Sequence, residues 1–341
     1  MTPEGFGEPH DGPAGSGSAL PRPEGVGEPQ GGAPMNRNLA VDLCGVRLQT
    51  PVLAASGCFG FGRELAGWVD LAAVGGIVTK SVSLEPRRGR PTPRAAETPS
   101  GMLNAIGPQT PGVEAFGAGD LRFLAEAGAT VVASLVGRSP GEFARLAARL
   151  DGEPGVALVE LNLSCPNVEH RGEVFATDPA AAAAVVRAVK AATATPVLAK
   201  LTADVTDLVA VARAVVDAGA DGLTLINTLL GMAVDTRRRR PRLAAVTGGL
   251  SGPAIRPVAV RCVWQVAQAL PGVPIVGTGG ILTADDAAEF LLVGATAVAV
   301  GTGNFINPRA VVEVADGLAG YLDAAGAASP AELPALFKAE R

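Results

Sequence analysis

The feature that most constrains this sequence is an alternation, repeated eight times after Asn36, of short β-branched segments with Ala-rich helical patterns. The predicted strands are 51–56, 75–80, 130–136, 157–163, 196–201, 222–227, 274–280 and 297–302. Ser139 followed by Glu142 predicts a helix N-cap with a capping box, and Thr283 followed by Asp286 predicts a similar start. Because repeated strand–helix alternation is typical of a closed parallel sheet inside a ring of helices, we predict an α/β fold, a (β/α)8 TIM barrel.

The lengths of the connections indicate where the functional face of this barrel lies. The three longest connections, 81–110, 164–177 and 228–251, all leave the C-terminal ends of predicted strands. Connections from helices back into strands are short. Barrel enzymes build their active sites at the C-terminal ends of the strands, and long loops without secondary structure usually have a function. We therefore predict that these long βα loops cover an active site.

The chain divides into three predicted parts. Residues 1–35 are rich in Gly and Pro and hold too little apolar surface to offset the entropy of ordering, so we predict a disordered tail. Met35 stands directly before the folded pattern, and translation starts either there or at Met1. Residues 36–325 are predicted to form the barrel, and residues 326–341 a C-terminal extension.

Composition argues against several classes of function. A net charge of −5 and an aromatic content of 4% lack the clustered positive charge and the stacking surfaces that nucleic acids require. No run of about 20 apolar residues is present to span a membrane. The four cysteines lie far apart without a CxxC pair, so no metal site is indicated and a reducing cytoplasm is the expected location.

Cys165 is the first candidate for chemistry, at the end of the segment ELNLSCPN (160–167). The chain has two histidines, one of them in the predicted tail, so proton transfer falls mainly to Cys, Lys, Asp or Glu. A thiol with a pKa of about 8.5 is partly thiolate near neutral pH and can act as a base or nucleophile, although free cysteines often only pack. Cys44, Cys58 and Cys262 are expected to pack, but Cys58 lies near the end of the first strand and could line the site.

Two lysines and two glycine segments also end predicted strands. Glycines in GTGG (277–280) and GT (301–302) allow backbone N–H groups to approach a phosphate at the ends of strands seven and eight. Lys80 and Lys200 end strands two and five. Each either holds a cofactor anion, forms a Schiff base with a carbonyl substrate, or forms a salt bridge inside the barrel mouth.

Seven motifs in one order give a more specific indication. They are ASGCFGFG (55–62), RPTPRAAET (90–98), SGMLNAIG (100–107), ELNLSCPN (160–167), DGLTLINTLLGM (221–232), TGGLSGPAIRPVAV (247–260) and AVAVGT (297–302). From Asn36 to about residue 325, the chain resembles the catalytic subunits of class 1B dihydroorotate dehydrogenases in the order and spacing of these motifs.

This resemblance implies an FMN enzyme that oxidises (S)-dihydroorotate to orotate in de novo pyrimidine (UMP) biosynthesis. Cys165 is then the base that removes the C5 proton while hydride leaves C6 for flavin N5. Lys200 is implied to lie beside the flavin ring and to stabilise negative charge on its reduced form. The implied FMN contacts are Ser56, Lys80, Ser81, Ser134, Asn162, Lys200, Ile226, Gly252, Gly279, Gly280, Gly301 and Thr302. The implied substrate contacts are Lys80, Asn104, Ala105, Ile106, Gly107, Pro108, Asn162, Asn167, Asn227 and Thr228.

The resemblance also implies partners. Class 1B catalytic subunits usually form homodimers and bind a second subunit, with FAD and a 2Fe–2S cluster, that passes electrons to NAD+. This chain has no cysteine set for such a cluster, so the cluster would belong to the partner. The chain departs from the family pattern at Pro108, Thr110, Ser134 and Thr278, where Leu, Asn, Asn and Met are usual, and at 202–204.

Three alternatives remain open from the sequence. The first is a related flavin-dependent dihydropyrimidine dehydrogenase acting on dihydrouracil or dihydrothymine. The second is a Schiff-base aldolase that uses Lys80 or Lys200 on a phosphorylated sugar. The third is a flavoprotein or assembly subunit without catalysis, which replacement of Cys165 would distinguish from an enzyme.

Overall fold

The computed structural model describes residues 39–164 and 175–338, and its centre is a closed barrel of eight parallel strands. Each strand pairs with the next one along the chain, and the eighth pairs with the first. The barrel strands are β1 (Val52–Ala54), β2 (Gly76–Val78), β3 (Val131–Leu135), β4 (Val156–Asn162), β5 (Val197–Leu201), β6 (Gly222–Leu225), β7 (Ile275–Thr278) and β8 (Ala297–Val300). The predicted (β/α)8 barrel is therefore confirmed.

Helices surround this barrel and cover the outer faces of its strands. The longer ones are Pro140–Leu150, Pro179–Lys190, Leu208–Asp217, Arg256–Ala269, Ala284–Leu292 and Ala310–Ala325. Between β2 and β3 the helical segment runs through Val113–Ala115, Phe116–Leu121 and Arg122–Glu126. Short helical turns occur at Leu71–Ala73, Phe175–Thr177, Pro253–Ile255, Gly303–Ile306, Pro330–Glu332 and Leu333–Leu336. Because apolar side chains line both faces of the sheet, the strands read as nearly continuous hydrophobic segments.

The two predicted helix starts have different outcomes. Thr283 and Asp286 form the reciprocal capping box that the sequence indicates. Ser139 accepts the Glu142 N–H as an N-cap, but the capping box predicted there is wrong. The Glu142 carboxylate instead accepts the Arg138 N–H at 2.8 Å and forms a 3.4 Å ion pair with Arg87. The nearby guanidinium thus holds this carboxylate away from the N-cap backbone.

The barrel interior is apolar in its lower part and polar at its mouth. Leu53, Val78, Val132, Leu158 and Leu198 fill the lower part. The hairpin formed by strands Val41–Leu43 and Val46–Leu48 packs against the same cluster and closes the N-terminal end of the barrel. This apolar plug makes the barrel a packed core rather than a pore, so a ligand can enter only at the opposite end.

Two of the three long loops form a sheet of their own. Strands Leu229–Met232, Thr247–Ser251, Gly101–Asn104 and Ala95–Thr98 pair in that order into an antiparallel sheet, which we call the cover sheet. Strands Val234–Asp235 and Arg240–Pro241 extend one loop as a small hairpin. These two connections therefore cover the barrel mouth as predicted, but with regular strands that the sequence did not indicate, and most of the third, 164–177, lies outside the described residues.

The C-terminal elements pack against the outside of the barrel. Helix Ala310–Ala325 ends at Gly326, which adopts a left-handed conformation, and the short helix Leu333–Leu336 packs against helix Ala284–Leu292. The predicted tail, residues 1–35, lies outside the described residues. Within residues 39–164 and 175–338, no helix is both long and apolar enough to cross a membrane.

Candidate active site

A cleft of about 340 Å³ lies between the C-terminal ends of the barrel strands and the cover sheet. Its volume lies in the range of small-molecule and cofactor sites. The predicted site residues that line it are Ser56, Lys80, Ser81, Asn104, Ile106, Gly107, Pro108, Asn162, Lys200, Asn227 and Thr228. Residues from the ends of five strands and from two of the three long loops thus meet where the sequence predicted an active site.

A chain of hydrogen bonds connects the amides in this cleft. Asn162 Nδ2 donates to Ser81 Oγ at 3.1 Å, and Ser81 Oγ shares a 2.9 Å hydrogen bond with Ser134 Oγ below it. Asn227 Nδ2 donates to Ser164 Oγ at 2.8 Å. Because each amide is oriented by a hydroxyl, both can present their remaining donors and acceptors to a ligand in a fixed direction.

Two lysines bring positive charge to the same cleft. Lys80 lines it from the end of β2 and Lys200 from β5. The Lys200 ammonium lies 3.8 Å from Oε1 of Glu160, and both side chains are almost fully buried. The structure therefore shows the predicted salt bridge at Lys200, whose side chain also lines the cleft.

Cys58 is a half-buried thiol in the wall of the cleft, as its position near β1 suggested. Burial raises the pKa of Cys58 to about 11, although the positive charges of Lys200 and Lys80 act in the opposite direction. The thiol is therefore protonated near neutral pH and is not poised to act as a base. Cys165 and Asn167, the predicted base and one substrate contact, lie outside the described residues.

The predicted phosphate-binding glycines meet at one corner, beyond the end of β7. Gly252, Gly279 and Gly280 all have positive φ angles, of 93°, 140° and 74°. A Cβ atom added at Gly280 would lie 2.7 Å from the carbonyl oxygen of Gly252, so side chains are sterically excluded here. Thr302 Oγ1 donates to Ser251 Oγ at 2.8 Å beside the corner.

This corner suits a phosphate group. The turn Pro253–Ile255 and helix Arg256–Ala269 begin directly after Gly252, which places a helix N-terminus beside the glycines. Exposed backbone and a helix N-terminus are the usual anion-binding combination in this part of a barrel. Arg256 is not part of it, because its guanidinium pairs with Asp286 and Glu289.

Not every predicted site residue reaches the cleft with its side chain. Ser134 and Ile226 are buried beneath it, and Ala105 packs in the cover sheet with Leu103 and Leu243. Gly301 lies at the end of β8, near Cys58. Residues that sequence reasoning did not assign to the site are Gly57, Met102, Val136, Glu160, Ser164, Gly249, Ser251 and Phe305.

Glu160 could have been found from the sequence. It stands two residues before Asn162 in an apolar strand, and alternate residues of a strand point to the same face. A carboxylate on the inward face of a barrel strand needs a partner, which is a signal of function in itself. Phe305 gave no such signal, because it lies in the short helix Gly303–Ile306 that follows the predicted phosphate residues.

Comparison with known proteins agrees with this geometry. Residues 38–322 match the dihydroorotate dehydrogenase family. The chain is 53% identical over 299 residues to a protein of Pelobacter propionicus named dihydroorotate dehydrogenase B (NAD(+)), catalytic subunit, covering 88% of this chain and 98% of that protein. Proteins of the same name from Geotalea uraniireducens and Desulforudis audaxviator are 53% and 54% identical, covering 87% and 86% of this chain and 97% and 95% of their own. The chain therefore belongs to the dihydroorotate dehydrogenase family.

Proposed function

We propose that this protein oxidises (S)-dihydroorotate to orotate in pyrimidine biosynthesis, with bound FMN and with NAD+ as the final electron acceptor. The observation that carries this proposal is the convergence of three amides, Asn104, Asn162 and Asn227, with the Lys80 ammonium in one cleft at the barrel mouth. Relatives more than 50% identical along nearly their whole length carry the dihydroorotate dehydrogenase B (NAD(+)) name.

The cleft offers the functional groups that this substrate needs. Dihydroorotate is a small ring with two N–H groups, two carbonyl groups and one carboxylate. Side-chain amides can donate to its carbonyls and accept from its N–H groups, and Lys80 supplies positive charge for an anion. Of the substrate contacts proposed from the family pattern, Ala105 does not line this cleft and Asn167 lies outside the described residues; the others, Lys80, Asn104, Ile106, Gly107, Pro108, Asn162, Asn227 and Thr228, all line it.

FMN would occupy the part of the cleft next to the glycine corner. Gly252, Gly279 and Gly280 would hold its phosphate, and Lys200 would face the ring from the barrel floor. When bound, the flavin supplies the acceptor for the hydride that leaves C6 of the substrate. The chain's own part is to bind and orient the substrate, exclude water and remove the C5 proton.

Cys165 is the proposed acceptor of the C5 proton. It follows Ser164, the last described residue before the gap in the loop after β4, whose hydroxyl oxygen accepts a hydrogen bond from the Asn227 amide. The base is therefore next in sequence to a residue that orients a proposed substrate ligand. Cys58 is a poor alternative, because burial raises its pKa to about 11.

The relatives are named catalytic subunits, and an electron-transfer partner is proposed for this chain as well. We propose a homodimer that binds a second subunit with FAD and a 2Fe–2S cluster, through which electrons reach NAD+. Mass measurement of the chain alone and together with a candidate subunit that carries FAD and a 2Fe–2S cluster would test both assemblies. The cytoplasm remains the predicted location.

The deciding experiment is to purify the chain alone, record its visible spectrum and assay dihydroorotate with NAD+, fumarate and a quinone analogue. We expect flavin absorption, and reduction of that flavin by dihydroorotate. Turnover of dihydrouracil instead would favour the dihydropyrimidine reaction. A colourless protein that borohydride traps covalently on a phosphorylated sugar would replace the proposal with aldolase chemistry.

A cysteine pair tests the assigned base. Cys165→Ser should lose most dihydroorotate oxidation and keep FMN, because a hydroxyl is a much weaker base than a thiolate. Cys262→Ser is the matched control, since Cys262 is buried in helix Arg256–Ala269 outside the barrel. Equal activity of the two variants would remove Cys165 from the mechanism.

A further inference from the structure

A buried carboxylate lies beneath the cleft, and the mechanism above does not use it. Glu160 is in the middle of β4 and is 1% exposed. Its Oε2 accepts a hydrogen bond from Thr224 Oγ1 at 2.9 Å. Its Oε1 lies 3.8 Å from the Lys200 ammonium and accepts no hydrogen bond from the described residues.

The apolar surroundings make the burial of a charged carboxylate at this position unfavourable. Below it the barrel is filled by Leu158, Leu198 and Val276, which offer no polar group. A charged group in such a place is retained only when another charge compensates for its lost hydration. An apolar residue at position 160 would fill the same space without that cost, so packing alone does not explain a glutamate there.

The positive charges of two lysines in the cleft explain why a carboxylate occupies position 160. The Lys80 and Lys200 ammonium groups both act electrostatically on the Cys58 thiol, so two cations approach one small region of the cleft. Lys200 is only 6% exposed, and a buried ammonium needs a nearby anion to compensate for its lost hydration. Glu160 is the carboxylate that forms an ion pair with Lys200 in the described structure.

We propose that Glu160 is a positioning residue whose buried carboxylate pairs with the Lys200 ammonium and holds it at the cleft, and thereby raises the reduction potential of the bound flavin. This inference rests on the proposed function, because it assigns Lys200 to the flavin ring. A reduced flavin carries more negative charge than an oxidised one, so a fixed positive charge beneath the ring favours reduction. Thr224 completes the arrangement by holding the carboxylate in place.

The test is the flavin midpoint potential of the FMN-loaded protein, measured by equilibration with reference dyes. Glu160→Gln keeps the shape and loses the charge. It should shift the reduction equilibrium toward oxidised flavin at least tenfold, about 30 mV for a two-electron couple. Thr224→Val should shift it in the same direction by less. Thr278→Val is the matched control, because its hydroxyl bonds the Ala299 carbonyl and does not reach Glu160, and it should leave the potential unchanged.

A double-mutant cycle separates action through Lys200 from a direct effect. Lys200→Gln should itself lower the potential, and Glu160→Gln added to it should lower the potential no further. An unchanged or higher potential in Glu160→Gln would overturn the proposal, as would an undiminished shift in the Lys200→Gln background. If Glu160→Gln fails to bind FMN, an unshifted Thr224→Val overturns it instead.

The outcomes also distinguish this inference from the proposed function. A wild-type protein that binds no flavin or leaves dihydroorotate unoxidised contradicts the proposed function. A wild-type protein that is an active flavoprotein, with variants whose potentials do not move, contradicts only the role given to Glu160.

Discussion

Gly280→Ala tests whether the glycine corner beyond β7 binds the phosphate of FMN. Gly280 has a φ of 74°, and a Cβ there would lie 2.7 Å from the Gly252 carbonyl oxygen and 3.0 Å from Pro253 Cα. Both neighbours are backbone atoms, so no side-chain rotation relieves the contact. The substitution must displace the turn Pro253–Ile255 that precedes helix Arg256–Ala269.

The expected magnitude follows from two separate costs. A non-glycine residue in the left-handed region costs about 1–2 kcal/mol. Forcing a methyl group into a filled space costs typically about 1–3 kcal/mol more. If the steric cost displaces the backbone of the corner, the free energy of FMN binding is reduced by the same amount. FMN affinity should then fall about 5- to 150-fold, since about 1.4 kcal/mol corresponds to a tenfold change.

Gly272→Ala is the matched control for this experiment. Gly272 has a φ of 85°, close to that of Gly280, but a Cβ there meets no atom within 4 Å. It lies in the turn before β7, at the opposite end of the barrel, so it carries the backbone cost without disturbing the corner. Thermal melting should show similar losses of stability from the backbone term in both variants.

The assay is FMN titration of protein stripped of its flavin, followed by quenching of flavin fluorescence. Gly280→Ala should bind FMN about 5- to 150-fold more weakly than Gly272→Ala, which corresponds to the steric cost of about 1–3 kcal/mol. Equal affinities in the two variants would refute the assignment of the phosphate to this corner. A loss of dihydroorotate affinity with unchanged FMN affinity would do the same.

Three further predictions concern substrate binding, pH and the core. Ser164→Ala removes the acceptor of the 2.8 Å hydrogen bond from Asn227, worth about 0.5–1.5 kcal/mol, and should raise the KM for dihydroorotate about 2- to 12-fold while FMN binding is unchanged, by steady-state kinetics. Burial raises the pKa of Cys44 to about 12 and that of Cys58 to about 11, so the unfolded chain loses these protons at lower pH than the folded protein does. The midpoint of urea unfolding should therefore fall as the pH rises above about 9, and it should fall less steeply in Cys44→Ser. Phe290→Ala, at a fully buried ring, should cost about 3–5 kcal/mol in urea unfolding.

The barrel strands could be predicted because they are buried on both faces. Segments such as GGIVTK (75–80) and PVLAKL (196–201) are short, apolar and bounded by turn residues, which is how parallel strands read. The predicted strands ran up to two residues beyond the observed C-terminal ends. β6, for example, ends at Leu225, because Asn227 turns away into the cleft and makes side-chain contacts there.

The cover sheet could not be predicted in the same way. Its central strand Thr247–Ser251 contains two glycines and has no regular alternation of apolar and polar residues. Its partner Gly101–Asn104 is about 145 residues away in the sequence, and the pairing of Gly249 with Asn104 leaves no local signal. A single sequence does not contain the information that joins two such distant loops.

Part of the cleft lining could be predicted from the sequence, but not the contacts between its residues. The family pattern identified Asn162, Asn227 and Lys200, all of which line the cleft. The Glu160–Thr224 hydrogen bond joins residues 64 positions apart on strands β4 and β6, which are not neighbours in the barrel. Contacts across the interior depend on the barrel's closure, and no sequence motif encodes them.

The cover sheet gives the site a property that loose loops would lack, because it links the proposed substrate side of the cleft to the proposed cofactor side. Asn104, a proposed substrate ligand, pairs with Gly249 of the strand Thr247–Ser251. That strand runs directly into Gly252 of the proposed phosphate corner, and its Ser251 accepts a hydrogen bond from Thr302. Since hydride transfer requires the two reacting atoms to be held at a fixed separation, one sheet that positions both ligands replaces the separate ordering of two loops.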